Sequence, residues 1–469
     1  MNDIALPLGL LWPDGDPVSL PVSFDDLAAK VAGERIEAIA RPRAPGWTFD
    51  ELEPESALDY GDPAQAGWTV VVGAHDPAAD AALEALGPLI DHRGADRTKV
   101  LKYPGGDELD RADWVDISYI GLGSDRPRYV LLAGDPEQLP FELQATLAAA
   151  GAYVGRVAFD QPEHLDTYVS KVIASEAEGA RLAEPEALVW ATDGGSRDPT
   201  YYSARYMAQP ILDWIEGVPG FSGVARLRDA ATKGALLESL VDRPGLVFTA
   251  SHGMVVPAAQ GLDEQRRLNG AWCGQRAPGA PIGDWLLTAD DLPASDPAWE
   301  GSVVVQFACW GYGTPTNSTF AHWTTGADGV VAESPFVAAI PKKLLANPRG
   351  PLGFVGHVDT AWLHGFADPL HPVPEDDYSP RLEPLLALVT STLKSRKASA
   401  YGLRDLAERA STLASAIAST VDRMQREGTS IADMDGDRRR KLADRMIRRN
   451  DAMWFLFFGD PGARVRMGT

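Results

Sequence analysis

The chain contains few cysteines and no long apolar run. Only Cys273 and Cys309 occur among its 469 residues. Two cysteines cannot build a disulfide framework, so their scarcity indicates a reducing compartment. No apolar run approaches the roughly 20 residues that a membrane span needs, and the acidic, proline-interrupted N-terminus lacks the pattern of an export signal. We therefore expect a cytoplasmic protein without a membrane partner.

Basic residues are also outnumbered, with 43 lysines and arginines against 66 aspartates and glutamates, for a net charge of −23. Surfaces that bind nucleic acid or anionic lipid need clustered positive charge, so the composition predicts neither partner. The excess of acid favours a cationic partner or serves solubility alone. We expect no metal and no cofactor.

From residue 68 onward, apolar β-rich runs alternate with helical segments. The main strands are predicted at 68–72, 129–133, 154–158, 187–191, 223–227, 246–250, 302–308 and 351–355, and the main helices at 77–90, 164–176, 201–216 and 233–241. This alternation requires crossover connections and indicates an α/β fold with a mostly parallel sheet flanked by helices. We predict an N-terminal extension at 1–65, a smaller α/β subdomain at 66–183, and a larger domain at 184–469 with a helical C-terminal part. Residues 256–283 are predicted to be a long loop, and 454–461 an apolar anchor.

Two of these strands each end at a reactive side chain. The run at 246–250 leads into His252 and Gly253, and the run at 302–308 leads into Cys309. In an open α/β sheet, the carboxyl ends of the strands form the functional edge. A lone cysteine or histidine is more often structural, but an imidazole that deprotonates a nearby thiol is the minimal apparatus for nucleophilic catalysis. The order and the separation of 57 residues are close to those of caspases. Cys273 follows no strand pattern and is interpreted as a dispensable loop cysteine.

Several landmarks in fixed order resemble the gingipain family of cysteine peptidases, which are relatives of the caspases. They are Gly-Asp at 134–135, Gly-Arg at 155–156, Asp-Gly-Gly at 193–195, His-Gly at 252–253, Ala-Cys at 308–309, Trp362, and Phe-Gly-Asp-Pro at 458–461. The resemblance covers roughly residues 68 to 465. Two positions differ from the family pattern: Asp193 stands where the family has Glu, and Ser251 where it has Gly.

The resemblance implies a caspase-like fold and a peptide or protein substrate. It implies that Cys309 is the nucleophile, His252 the general acid and base, and Asp193 the acid that orients the imidazole. The N–H groups of Gly253 and Cys309 would hold the oxyanion.

The same resemblance places Trp362 in the primary specificity pocket, with Asp198 as the nearest candidate for a pocket acid that would favour cleavage after a basic residue. Arg197 and Arg205 flank Asp198 and leave an acidic preference open. The function expected is that of an intracellular cysteine endopeptidase. Two alternatives stay open, namely a catalytically silent or regulatory scaffold, and a thiol hydrolase or acyltransferase that is not a peptidase.

Overall fold

The computed structural model describes residues 9–17, 28, 59–96, 99–320, 329–373, 377–394 and 397–468. Its strands are β1 Gly9–Leu11, β2 Asp16–Pro17, β3 Trp68–Gly73, β4 Leu101–Tyr103, β5 Tyr129–Ala133, β6 Tyr153–Val157, β7 Glu184–Ala191, β8 Ser222–Leu227, β9 Pro244–Ala250, β10 His252–Val255, β11 Trp272–Cys273, β12 Leu286–Leu287, β13 Val303–Phe307, β14 Gly313–Thr314, β15 Phe336–Val337, β16 Gly353–His357, β17 Ala367–Val373, β18 Asp377–Pro380 and β19 Phe455–Gly459.

The α-helices are α1 Pro63–Ala66, α2 Ala79–His92, α3 Glu108–Trp114, α4 Phe141–Ala149, α5 Pro162–Glu176, α6 Pro199–Ser203, α7 Gln209–Glu216, α8 Lys233–Glu238, α9 Leu262–Leu268, α10 Ile282–Trp285, α11 Ala339–Ala346, α12 Glu383–Leu393, α13 Arg404–Glu427 and α14 Gly436–Met453. A π-helical turn at Ala204–Ala208 joins α6 to α7, so the single helix predicted at 201–216 is present in three parts.

Ten strands form one sheet in the order β4-β3-β5-β6-β19-β16-β13-β9-β7-β8. Every neighbouring pair is parallel except β16 and β19. The sheet therefore consists of two parallel halves that run in opposite directions and meet at this pair. The predicted α/β fold class, with a large and mostly parallel sheet flanked by helices, is confirmed.

The central strands are buried because their residues are apolar on both faces, as expected where helices cover a parallel sheet on each side. All five residues of β13 and all seven of β9 are buried. The two strands pair in register from Val303 with Leu246 to Phe307 with Ala250. Both therefore end at the same edge of the sheet and at the same level.

A second sheet of five short strands lies beside this edge, in the order β12-β11-β10-β1-β2. The stretch predicted to be a long loop, 256–283, supplies β11 and α9 and the beginning of α10. Most of the predicted N-terminal extension lies outside the described residues, but β1 pairs in parallel with the histidine strand β10. The second sheet thus connects the start of the chain to the strand that follows β9.

The apolar stretch predicted at 454–461 to be an anchor is instead the central strand β19, which pairs with β6 and β16. The boundary predicted at 183/184 falls just before β7, and the ten-stranded sheet continues across it. The division into domains remains a prediction. No helix among the described residues is long and apolar enough to span a membrane.

Candidate active site

The register of β9 and β13 brings the two reactive residues together. His252 follows Ala250 by two residues, Cys309 follows Phe307 by two, and Ala250 and Phe307 are paired. The hydrogen-bonded pairing of the two strands continues to Ser251, whose N–H donates to the carbonyl of Phe307 over 3.2 Å. The sequence motif and the strand register thus locate His252 and Cys309 at neighbouring points of one edge.

Asp198 binds the imidazole of His252. Both carboxylate oxygens lie 2.9 Å from Nε2. Burial tends to raise the pKa of Asp198, but the charge and hydrogen bond of His252 and two hydrogen bonds from Thr200 outweigh it and lower the pKa to about 2. Asp198 is therefore a carboxylate at neutral pH and accepts the Nε2 proton. This leaves Nδ1 as the nitrogen with a free lone pair, and this atom is buried without a hydrogen-bond partner among the described residues.

The two acids make different contacts from those expected on the resemblance. Asp193, expected to orient the imidazole, accepts a hydrogen bond from the N–H of Gly195 at 2.9 Å. Asp198, expected in the specificity pocket, caps the N-terminus of α6 and contacts His252. The physical reason is local. Pro199 occupies the first turn of the helix, so the preceding aspartate becomes the N-cap and its side chain is held in place by Thr200.

Gly253 packs directly on the main chain of Cys309. A side-chain carbon at this position would collide with the carbonyl oxygen of Cys309 and lie 3.2 Å from its amide nitrogen. Only glycine permits this approach. The contact brings together the two residues whose N–H groups were predicted to hold an oxyanion.

The thiol of Cys309 is completely buried. The N–H of Ala361 donates to its Sγ over 3.3 Å. Burial raises the pKa of the thiol well above its usual value, because the hydrogen bond from Ala361 does not compensate for the loss of solvation. Cys309 is thus a neutral, covered thiol in this structure.

Trp362 follows Ala361 and is also completely buried. Its ring packs on Phe320 with centroids 5.0 Å apart, and its indole N–H donates to Thr360 Oγ1 over 2.9 Å. The predicted pocket tryptophan therefore lies next to the residue that contacts the thiol. In this arrangement Phe320 packs on its ring, and the tryptophan has no exposed surface.

Asp359 holds the segment Ser318–Phe320 in this position. Its buried carboxylate accepts hydrogen bonds from Ser318 Oγ at 2.6 Å and from the N–H and hydroxyl of Thr319 at 2.7 and 3.0 Å. Burial outweighs these hydrogen bonds and raises the pKa of Asp359 to about 6. Its φ of 85° is a left-handed conformation that costs energy in a residue with a side chain. Sequence reasoning missed Asp359, and no motif indicated it.

Cys273, interpreted from the sequence as a loop cysteine, lies in the short strand β11. It pairs with His252 across the antiparallel strands β10 and β11, so the two side chains lie on the same face of the small sheet. Its thiol is buried, and burial raises its pKa above the usual value. Within the described part of the chain, no group of His, Cys, Asp and Glu side chains is arranged to hold a metal ion.

No family model and no curated protein matches the chain. Among solved structures, one described as the structure of a protease is 13% identical, covers 87% of this chain and 81% of its own, and has a TM-score of 0.47. A crystal structure of the Arg-specific cysteine proteinase gingipain R (RgpB) is 13% identical over 86% of this chain and 79% of that one, with a TM-score of 0.41. A complex of Porphyromonas gingivalis RgpB pro- and mature domains is 12% identical over 86% and 80%, with a TM-score of 0.42. Likenesses this distant assign no role to any residue.

Proposed function

We propose that this protein is a cysteine peptidase whose nucleophile is Cys309 and whose general base is His252. One observation carries the proposal. Asp198 binds Nε2 of His252 and leaves Nδ1 free, at the level of the sheet edge where the neighbouring strand ends at Cys309. A base fixed in one tautomer beside a thiol is the arrangement that nucleophilic catalysis requires.

In the proposed reaction, Nδ1 of His252 takes the proton of the Cys309 thiol as the thiolate attacks the carbonyl carbon of the substrate. The N–H groups of Gly253 and Cys309 stabilise the negative oxygen of the tetrahedral intermediate. The imidazolium returns its proton to the leaving amine, which leaves a thioester on Cys309. Water, deprotonated by the same imidazole, hydrolyses the thioester and restores the thiol. Asp198 orients the imidazole and stabilises its protonated form throughout.

A preference for a basic residue before the scissile bond rests on Trp362 and on the net charge of −23, which raises the local concentration of cationic segments. Asp198 is engaged by His252 and no longer supports this preference. We also propose an intracellular setting, which the low cysteine content favours.

The complete burial of the Cys309 thiol is the one observation that favours the alternative of a catalytically silent scaffold. A nucleophile must be reached by its substrate, and a thiol with a raised pKa is protonated at neutral pH. The peptidase proposal therefore requires a rearrangement that exposes the thiol before substrate binds. We propose that the segment which moves is Ser318–Phe320, because Phe320 packs on Trp362, the neighbour of Ala361, whose N–H donates to the thiol.

The proposal is tested by incubating the purified chain with a library of peptides and identifying cleaved bonds by mass spectrometry. We expect cleavage by the wild type and by Cys273→Ala, and none by Cys309→Ala or His252→Ala. Cys273→Ala is the matched control because it removes the other buried thiol beside the same histidine. Cleavage that survives in Cys309→Ala would refute the proposal. A panel of thioester substrates in parallel separates a peptidase from a thiol hydrolase that does not cut peptide bonds.

A further inference from the structure

The helices α13 and α14 pack against each other, and a cleft of about 290 Å³ lies between them. We call this the cationic cleft. It is lined by the four basic residues Arg423, Arg438, Lys441 and Arg445 and by Ser419, Thr420, Met434 and Leu442. The basic run at 437–449, which the sequence marks as unusual in an acidic chain, thus contributes to a concave surface.

The positive charges of the cleft are largely uncompensated. Among the residues that the structure describes, Arg438 has a carboxylate within reach, Asp435 at 3.4 Å. Arg423, Lys441 and Arg445 have none within ion-pair distance there. Like charges gathered in one cleft repel each other, and a bound anion relieves that repulsion. In a chain with a net charge of −23, such a concentration of unpaired cations indicates a binding surface for an anion.

The lining determines which anion fits. Three guanidinium groups and an ammonium group match the oxygens of phosphate groups, which arginine binds in a bidentate manner. The buried hydroxyl of Thr420 already donates to the carbonyl of Ala416. The floor of the cleft therefore consists mainly of Leu442 and other carbon atoms and has few free hydrogen-bond donors. A long nucleic acid is disfavoured, because the rest of the acidic surface repels it. We propose that the cationic cleft binds a small ligand that carries two or more phosphate groups.

The cleft is connected to the candidate active site through α14. A neighbouring cavity of about 520 Å³ shares Lys441 and Arg445 and is also lined by Arg381 and Asp444, which form an ion pair at 2.7 Å. Near its C-terminal end, α14 carries Asp451, which accepts the main-chain N–H of Trp362 at 2.9 Å. A ligand that fixes α14 therefore acts on the turn beside Cys309. This step rests on the proposed function of Cys309, whereas binding to the cleft does not.

The test is titration of the full chain with inorganic triphosphate by calorimetry, with sodium chloride added to hold the ionic strength constant. We expect binding by the wild type, binding weakened about tenfold or more in the Lys441→Gln, Arg445→Gln double variant, and unchanged binding in Arg226→Gln. Arg226 is exposed on β8 and serves as the control for loss of positive charge elsewhere.

The second readout is the rate at which iodoacetamide alkylates Cys309, measured by mass spectrometry with and without triphosphate. We expect the rate to change about threefold or more in the wild type and not in the double variant. Absence of binding, or equal binding by the double variant, would overturn the phosphate site. Binding with an unchanged alkylation rate would overturn the connection to Cys309. Neither readout needs peptidase activity, so both are independent of whether peptide cleavage is found.

Discussion

Replacement of Asp198 by Asn is expected to destabilise the fold, and the structure gives the size and the pH dependence of the effect. The pKa of Asp198 is lowered from 3.8 to about 2 in the folded chain. At ~1.36 kcal/mol per pKa unit, this corresponds to about 2 kcal/mol of stability from the ionised carboxylate. Because the folded-state pKa is depressed, this contribution is fully present above pH 3.8 and is lost as the pH falls towards about 2.

The assay is unfolding by urea of the wild type and Asp198→Asn between pH 7 and pH 3. We expect a difference of about 2 kcal/mol at pH 7 that shrinks to roughly half of that at pH 3, since the carboxylate is then mostly protonated in the unfolded chain while it is still mostly ionised in the folded chain. Asp193→Asn is the matched control, because Asp193 accepts one hydrogen bond from the main chain of an exposed loop residue. The control is expected to cost about 1 kcal/mol or less.

The same pair separates the proposed catalytic roles of the two acids. An amide at position 198 is able to donate to Nε2 of His252, which shifts the imidazole proton to Nδ1 and removes the free base. We expect peptide cleavage to fall by about 10²-fold or more in Asp198→Asn and by about threefold or less in Asp193→Asn. A larger loss of activity in Asp193→Asn, or a stability difference for Asp198→Asn that does not depend on pH, would refute the assignment of Asp198 as the partner of His252.

Three further predictions concern the surroundings of Cys309. Asp359→Asn deprives the N–H of Thr319 of its charged acceptor, and we expect alkylation of Cys309 by iodoacetamide to become about tenfold faster. An unchanged rate would mean that the hydrogen bonds of Ser318 and Thr319 to Asp359 do not keep the thiol covered. Gly253→Ala places a carbon against the carbonyl oxygen of Cys309 and is expected to lower the free energy of unfolding in urea by about 2 kcal/mol or more. In the control Gly283→Ala no atom lies within 4 Å of the added carbon, and we expect a loss of about 1 kcal/mol or less. Equal losses would contradict the close packing of Gly253 on Cys309. Cys273→Ser buries a hydroxyl opposite His252 and is expected to lower the free energy of unfolding by about 1–3 kcal/mol. We expect the alkylation rate of Cys309 to stay within about twofold of the wild type, and a larger change would show that the two thiols act together.

The long buried strands could be predicted from the sequence because their apolar runs are continuous and end in turn residues. The prediction for 129–133 agrees with β5 at both ends, and the predictions that lead to His252 and Cys309 differ from β9 and β13 by two residues or fewer at each end. The direction of each half of the sheet could not be predicted in this way. It depends on β19, a C-terminal apolar run whose pairing with β6 and β16 leaves no trace in its local pattern.

The residues around the histidine show a different limit of sequence reasoning. The strand β11 has two residues, too few for any periodicity, so its pairing of Cys273 with His252 could not be foreseen. Asp198 carried a usable signal, since an Asp-Pro pair before a helical segment is typical of an N-cap. Because its position at the start of α6 is fixed, Asp198 is a better candidate to hold the imidazole of His252 than Asp193, which precedes two glycines in a loop.

The contacts around the buried thiol of Cys309 are mostly different from those that build the sheet. His252, Cys309 and Asp198 are set by strand ends and a helix start, and the buried register of β9 with β13 fixes the first two. The segment Ser318–Phe320, which we propose as the cover of the thiol, is held by hydrogen bonds to the carboxylate of Asp359, whose backbone is strained, by a hydrogen bond from the indole of Trp454 to Thr319, and by ring packing of Phe320 on Trp362. Lifting the cover therefore exchanges a few hydrogen bonds, each worth ~1–3 kcal/mol when the acceptor is charged, and leaves the sheet intact. On the proposed mechanism, exposure of the thiol is therefore a separate event from the positioning of its base, because His252 is already bound to Asp198 while the Cys309 thiol is buried.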